Sequence, residues 1–202
     1  TMTKAEILEL VNDLIDDEFG STEDVYLNIA YHEVLSYFAW LFLVKWAVLA
    51  SAGNYSYTLP TDFGSTISDK EGHGHVFIGT ENTKYVEISI LNKLDYQNIT
   101  GYFYIDRANN LLVFTGVPAI TGAVNLPYVY EPADLSDDTD EPCAGFKSAY
   151  HSVIAYKMAS LFPVTEQEEK ARSYRQEYAA EYQNMLNLMI LDDARARERA
   201  RV

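Results

Sequence analysis

From Lys4 onward the apolar positions recur at helical spacing. Thr3-Lys-Ala-Glu6 has the form of a capping box, and Ile7, Leu10, Val11, Leu14 and Ile15 follow every third or fourth residue. This predicts a short amphipathic helix ending before Phe19-Gly20. Ser21 with Asp24 three residues on forms a second cap, and Tyr26, Ile29, Ala30, Val34 and Tyr37 or Phe38 mark the buried stripe of a second helix that should stop near Trp40 to Phe42. The period then changes. Val44 to Ala50 is β-branched or aromatic, broken only by Lys45, and reads as a strand; Ala52-Gly53-Asn54 supplies residues that tolerate positive φ, so Tyr55 to Leu59 should return antiparallel until Pro60, which has no N–H to donate, ends the ladder.

Asp62 to His75 is polar and Gly-rich and reads as a loop. Strands are expected at Val76 to Gly79, Lys84 to Leu91, Gly101 to Asp106, Asn110 to Thr115 and Ala123 to Tyr130, with Asn109-Asn110 as a hairpin turn. In the second of these, Tyr85, Glu87 and Ser89 alternate with Val86, Ile88 and Ile90, the pattern of a half-buried strand. Pro132 to Pro142 is an acidic connector, and Phe146 to Phe162 is again helical by pattern. After Pro163, Thr165 caps a segment free of Gly and Pro from Glu166 to Val202; helical throughout, it would hold roughly 37 residues and reach about 55 Å. The expected fold class is α+β: N- and C-terminal helices (1–42 and 143–202) form a helical bundle with a long C-terminal helix, and 43–142 is a β-rich, antiparallel-hairpin insert with its acidic connector.

Composition narrows the function classes. Of the 202 residues, 48% are hydrophobic, with only 10 Gly and 6 Pro, so a packed core is expected and not a disordered or fibrous chain. The 16 Tyr suit surfaces that become buried in subunit contacts, or equally the outer face of a sheet. A net charge of −15 argues against a basic patch that grips phosphate, hence against sequence-specific DNA binding. The acidity is uneven, since residues 1–146 hold 6 of the 15 basic and 22 of the 30 acidic side chains. One cysteine, Cys143, excludes an internal disulfide and fits a reducing cytoplasm. Lys4, Glu6 and Glu9 stand where a signal peptide would need an apolar run, and the longest apolar stretch, Tyr37 to Ala50, falls short of the roughly 18 to 20 residues of a membrane span, so a soluble protein with no membrane partner is expected.

The chemistry-bearing residues point to no catalyst. Gly72-His73-Gly74-His75 brings two imidazoles together, but two ligands do not make a metal site, and His32 and His151 fall on predicted helices. Asp134 to Glu141 lacks the Gly and Glu that an EF-hand requires, so a solvated linker is expected. No G-x-S-x-G, Walker A, H-E-x-x-H or G-x-G-x-x-G occurs. The expectation is no catalytic residue, metal or cofactor. On the last helix Tyr174, Tyr178, Tyr182, Met185 or Leu186, and Met189 form a stripe at i, i+4 spacing, and Arg195, Arg197, Arg199 and Arg201 gather at its end. The stripe is either a core face or a partner face. The arginines are either a solvated tail or a dock for an acidic partner.

Several segments, taken in order, resemble one known family. Trp40-Leu-Phe42, Gly53-Asn-Tyr-Ser-Tyr57-Thr-Leu-Pro60-Thr-Asp-Phe63, the hairpin around Tyr102 to Phe114, Tyr128-Val-Tyr130-Glu-Pro132-Ala-Asp-Leu135, and the acidic linker leading to Tyr150-His151 and a long terminal helix are similar to the head-to-tail adaptors of tailed bacteriophages, including the tail accessory factor of short-tailed phages. The likeness covers nearly the whole chain and departs at Thr115-Gly-Val-Pro118, which replaces the Pro-rich end common after that strand. It implies a non-enzymatic structural protein of the virion neck, made in the host cytoplasm. Such proteins form a ring, commonly of twelve copies, under the portal protein. The C-terminal helix docks on the portal, the opposite face receives the next tail, nozzle or stopper component, and DNA passes through the channel without sequence-specific binding. The residues assigned to portal or subunit contact on this basis are Tyr174, Tyr178, Tyr182, Met185, Met189, Arg195, Arg197, Arg199 and Arg201. Free copies, at −15 each, are expected to be largely monomeric. The alternatives are a β-rich glycan- or receptor-binding module on a helical support, and a hydrolase with its site between the two parts.

Overall fold

The structure is a computed structural model that describes all residues except 16–18, 38–39, 54, 69–71, 80–82, 117–121, 162–167 and 200–202. It is a mixed α+β chain that divides into two compact units, one of residues 1–42 with 132–202 and one of residues 43–131.

The first unit is helical. Helix α1 spans Lys4–Ile15, α2 Glu23–Ser36, α4 Ser152–Ser160 and α5 Glu168–Arg199. The capping box forms as expected: the Thr3 N–H donates to Glu6 Oε2 at 2.8 Å and the Glu6 N–H returns to Thr3 Oγ1 at 3.3 Å. Ile7, Val11 and Ile15 of α1 are buried, and α4, whose Val153, Ile154, Ala155, Met158 and Ala159 are all buried, packs against α1, α2 and α5. Helix α2 departs from expectation in three ways. It ends at Ser36, short of Trp40. Its start is a 3-10 turn, Gly20–Thr22, and no side chain caps it. Its buried stripe is Leu27, Ala30, Tyr31, Val34 and Leu35, while Ile29 and Tyr37 are exposed. Trp40 beyond its end is buried and donates its indole N–H to the Val34 carbonyl at 3.2 Å.

The acidic connector is not a solvated linker. The Lys4 N–H donates to the Asp140 carbonyl at 2.7 Å and the Ala5 N–H to that of Asp138 at 3.2 Å, so two donors that α1 leaves orphaned at its first turn are satisfied by the connector's backbone. Asn28 on α2 accepts the Leu135 N–H at 2.9 Å and donates to the Leu135 carbonyl at 3.3 Å. The Lys4 ammonium is buried, 2.8 Å from Asp24 and 2.9 Å from the Ser136 carbonyl. The hydrogen bond to Asp24 raises its pKa against the effect of burial.

The second unit is a nine-stranded sheet: β1 Val44–Leu49, β2 Ser51–Gly53, β3 Ser56–Thr58, β4 Phe63–Thr66, β5 His75–Ile78, β6 Thr83–Glu87, β7 Tyr102–Asp106, β8 Leu111–Phe114 and β9 Val124–Tyr130. The order is β1-β9-β5-β6-β7-β8-β3-β2, with β4 paired to the far half of β9. Its two ends are one chain segment, because β2 follows β1 after Ala50 and the Thr58 N–H donates to the Ala50 carbonyl at 3.0 Å, so the sheet is nearly closed on itself. The inner face collects Leu49, Val76, Ile78, Phe103, Leu112, Phe114, Val124 and Leu126 into one core.

The strand returning through Tyr55 pairs with β2; β1 itself lies antiparallel to β9, Val44 opposite Val129 and Leu49 opposite Val124. The expected loop 62–75 contains β4. The strand expected to reach Leu91 stops at Glu87, where Ser89 accepts the Leu91 N–H and starts a 3-10 turn, Ile90–Asn92, running into the short helix α3, Lys93–Tyr96. That excursion makes β6 and β7 parallel neighbours, the one parallel pair among the described strands. The Asn109-Asn110 hairpin forms, with Asn110 at φ 55°. Pro127 sits inside β9 without breaking it: β5 reaches Asn125 and β4 ends with Thr66 opposite Tyr128, so on that flank no ladder partner stands at 127.

Candidate functional site

Helix α5 runs unbroken for 32 residues, about 48 Å. Tyr178, Tyr182, Leu186, Met189 and Asp193 are buried at steps of four, four, three and four, so its inner stripe belongs to the unit's own core. The Tyr178 hydroxyl donates to the Leu14 carbonyl, and the Tyr178 ring stacks on Tyr156 at 6.3 Å. The Lys157 ammonium lies 5.2 Å over the Tyr182 ring while pairing with Glu33 at 2.6 Å. Met185 is half-buried beside this stripe, and the Tyr174 side chain and Arg201 lie outside the described residues.

The C-terminal part of α5 is held by two aspartates. Asp193, 8% exposed, accepts the Leu41 N–H at 2.7 Å on one oxygen and Arg197 Nε at 2.5 Å on the other. It supplies from α5 the acceptor that the first N–H of the 3-10 turn at Leu41 lacks. Asp192 accepts the Lys147 ammonium at 2.7 Å and the Tyr150 hydroxyl at 2.6 Å. Those two bonds hold its carboxyl below the usual range, while burial and the carboxylate beside it push the Tyr150 phenol up to about 12. Neither group is poised to exchange a proton near neutrality, so the pair is a clamp. Beside it lies a cleft of about 250 Å³ lined by Trp40, Phe42, Phe146 and Met189, with Asp192 at its rim. Gly145, at φ 91°, allows the close approach of Phe42: a Cβ there would meet Phe42 Cβ at 2.9 Å.

His151 is a structural histidine that the sequence pattern did not single out. It is buried, its Nδ1 accepts the Met2 N–H at 3.1 Å, and its Nε2 therefore carries the proton donated to the Phe146 carbonyl at 3.0 Å. His32 pairs with Asp134 at 2.7 Å. Among the described residues no group of three or more His, Cys, Asp or Glu is placed to hold a metal ion, and none of the described helices is long and apolar enough to cross a membrane.

The outward side of α5 is different in kind. Leu188 and Leu191 are exposed at 48% and 54%, and Arg195 and Arg199 are exposed one and two turns further on. At 100° per residue these four fall on one face, roughly 100° to 180° from the centre of the buried stripe. Two leucines followed by two arginines thus stand in water on the face that the helix's own core leaves untouched. Leu188 and Leu191 escaped the sequence reading because the Tyr and Met stripe claimed the helical period; the signal present was the second stripe at i, i+3, i+7.

Over residues 2–202 the chain matches the family model described as SU10 adaptor protein. No curated protein matches it.

Proposed function

From membership of the SU10 adaptor family, a phage head-to-tail adaptor family to which this chain belongs, we propose that the protein is a structural virion component that forms a ring, built on the portal and not in free solution, in which α5 faces the portal. The outward strip of Leu188, Leu191, Arg195 and Arg199 is the portal-docking face. Tyr178, Tyr182 and Met189 support it from within by fixing the helix to its core. The β unit is carried between the helical segments as an insert, offers the platform for the next tail component, and leaves the channel through which DNA passes. The excess of carboxylates repels DNA and keeps that channel slippery. The protein acts by joining assemblies and has no catalytic role.

The observation that carries this reading is the family match along the whole chain together with an exposed apolar and basic face on its longest helix. The test mixes the protein with portal rings and images the product by negative-stain electron microscopy. Arg195→Glu with Arg199→Glu, and separately Leu188→Asp with Leu191→Asp, should abolish attachment while leaving the melting profile unchanged, since all four side chains are exposed. Truncation should begin at Arg195 and spare Asp192 and Asp193, which hold the fold. Undiminished attachment of both variants removes α5 from the portal contact.

A further inference from the structure

Around Phe42 the helical unit gathers rings that lie nearly parallel. Trp40 stacks on Phe42 at 6.0 Å and 11°, Phe42 on Phe146 at 5.7 Å and 19°, and Phe146 on His151 at 5.2 Å and 30°. Trp40, Phe42 and Phe146 wall the cleft of about 250 Å³, with Met189 and Ala196 on its α5 side. Ala196 follows Asp193 by three residues and Met189 by seven, in register with the buried stripe, yet it is exposed. The inner stripe of α5 therefore runs on past its own core and onto the cleft. A volume of about 250 Å³ is below the roughly 300–1,000 Å³ of pockets that enclose a whole small ligand, so the cleft holds one side chain. A wall of stacked rings favours a flat one.

Two polar features narrow the occupant. At the rim, Asp192 takes both the Lys147 ammonium and the Tyr150 hydroxyl on Oδ2, and its Oδ1 accepts no hydrogen bond from the described residues. A ring entering beside it is matched if it brings a donor, the O–H of a tyrosine or the indole N–H of a tryptophan. The charges set the context. Lys147 is matched by Asp192 and Arg197 by Asp193, which leaves Arg195, exposed three residues beyond Asp192 and near enough to favour the ionised forms of Asp192 and Tyr150. Arg199 is exposed one turn further on. On a chain of net charge −15 this is an apolar cleft with surplus positive charge at its edge, which complements carboxylates and disfavours a basic segment. A single-stranded nucleic acid also offers rings, but it brings a negative charge with each of them, and the chain as a whole repels it.

We propose that the cleft seats the ring of a tyrosine or tryptophan from an acidic segment of the partner that α5 meets, with the ring's O–H or N–H donating to Asp192 Oδ1 and neighbouring carboxylates meeting Arg195. The proposal rests on the docking role given to α5 above and adds the anchor and the chemistry of the segment that carries it.

In the full chain with Trp46→Phe, Trp40 is the one tryptophan left and stands in the cleft wall. The probe is the end-blocked peptide Glu-Glu-Tyr-Glu-Glu, titrated at low salt with excitation selective for tryptophan. It should change Trp40 emission saturably. Binding should weaken by at least about tenfold when the central Tyr is replaced by Ala, when the Glu residues are replaced by Lys, and in Ala196→Phe, which fills the cleft from an exposed position and should leave the circular dichroism melt unchanged. No saturable change, a change that survives any of these three replacements, or tighter binding of a short thymidine oligonucleotide overturns the proposal. Attachment to portal rings separates it from the reading it rests on. Ala196→Phe should weaken attachment as the Leu188, Leu191 and Arg195, Arg199 variants do. Attachment lost in those variants but kept in Ala196→Phe removes the cleft from the contact and leaves the docking role of α5 standing; attachment kept in all of them removes both.

Discussion

Asp193 offers the sharpest test of how α5 is fixed. Its carboxylate is buried, yet it sits near the C-terminal end of a helix, where the dipole disfavours negative charge, so its partners must outweigh that cost. One partner is the Leu41 N–H at 2.7 Å and the other is Arg197 at 2.5 Å. Asp193→Ala removes the only acceptor on α5 for Leu41 and leaves a buried donor unsatisfied, about 1–3 kcal/mol. The lost pair with Arg197 adds less, about 0.5 kcal/mol, because the Arg197 side chain is 38% exposed and can turn to water. The expected total is about 2–3 kcal/mol for the helical unit. Asp193→Asn keeps an oxygen for Leu41 and gives up only the charge, so it should cost about 1 kcal/mol, and Arg197→Ala about the same or less. Trp40 precedes the turn that Asp193 holds and is 1% exposed, whereas the other tryptophan, Trp46, is in the β unit and exposed. In a Trp46→Phe background, denaturant titration followed by Trp40 fluorescence therefore reads the helical unit alone. If Asp193→Ala falls within about 0.5 kcal/mol of the parent, or Asp193→Asn costs as much as Asp193→Ala, the bond to Leu41 does not carry the energy assigned to it here.

Burial, with the bond to Asp62, pushes Tyr128 up to about 12, and Tyr150 is raised to about 12 in the same way by burial and Asp192. A folded pKa above the unfolded value near 10 gives stability that is fully present below pH 10 and is lost as pH rises toward 12, so alkaline unfolding should track the late fraction of phenolate absorbance, and Tyr128→Phe should flatten that dependence. In acid the sign reverses: hydrogen bonds hold the Asp192 carboxyl below its ordinary value, so its contribution is present above about pH 4 and is lost as pH falls through the folded pKa, and Lys147→Met should weaken the acid dependence of thermal melting. Gly145→Ala meets both a positive φ and the Phe42 Cβ at 2.9 Å, and should lower stability by about 2–3 kcal/mol, read by the same Trp40 signal.

What was legible in the sequence was local. The capping box of Thr3 and Glu6 needs only its own four residues, and the Asn109-Asn110 turn needs only Asn's tolerance of positive φ; both form as read. The face of α2 was not legible, because Val25, Leu27, Ile29, Ala30, Tyr31, Val34 and Leu35 wrap the helix with apolar residues. Which of them is buried depends on Asn28 being turned to hold Leu135, more than a hundred residues away in sequence. Strand β4, Phe63–Thr66, has the composition of a turn and owes its conformation to its pairing with β9. The end of β6 was legible but overlooked: Ser89 has the capping chemistry that starts the next turn. The exposed strip of Leu188, Leu191, Arg195 and Arg199 on α5 was hidden by the stronger stripe beside it on the same helix.

The net charge of −15 is what remains after all 15 cations are set against 30 carboxylates, so no ion pair reduces it, but several of the carboxylates are engaged at close range. Asp24 neutralises the buried Lys4, Asp140 accepts the N–H groups of Ser136 and Asp137, Asp62 takes Lys45 and Tyr128, Asp134 meets His32, and Asp192 and Asp193 fix α5. These carboxylates sit where backbone donors or cations needed an acceptor, and most of their influence ends there. The acidic connector is the clearest case: it lies at the first turn of α1, the end of a helix where negative charge and free carbonyls are both favoured. Any field that keeps DNA off a channel wall must therefore come from carboxylates outside these sites, and substitutions that test it should spare the aspartates that hold the fold.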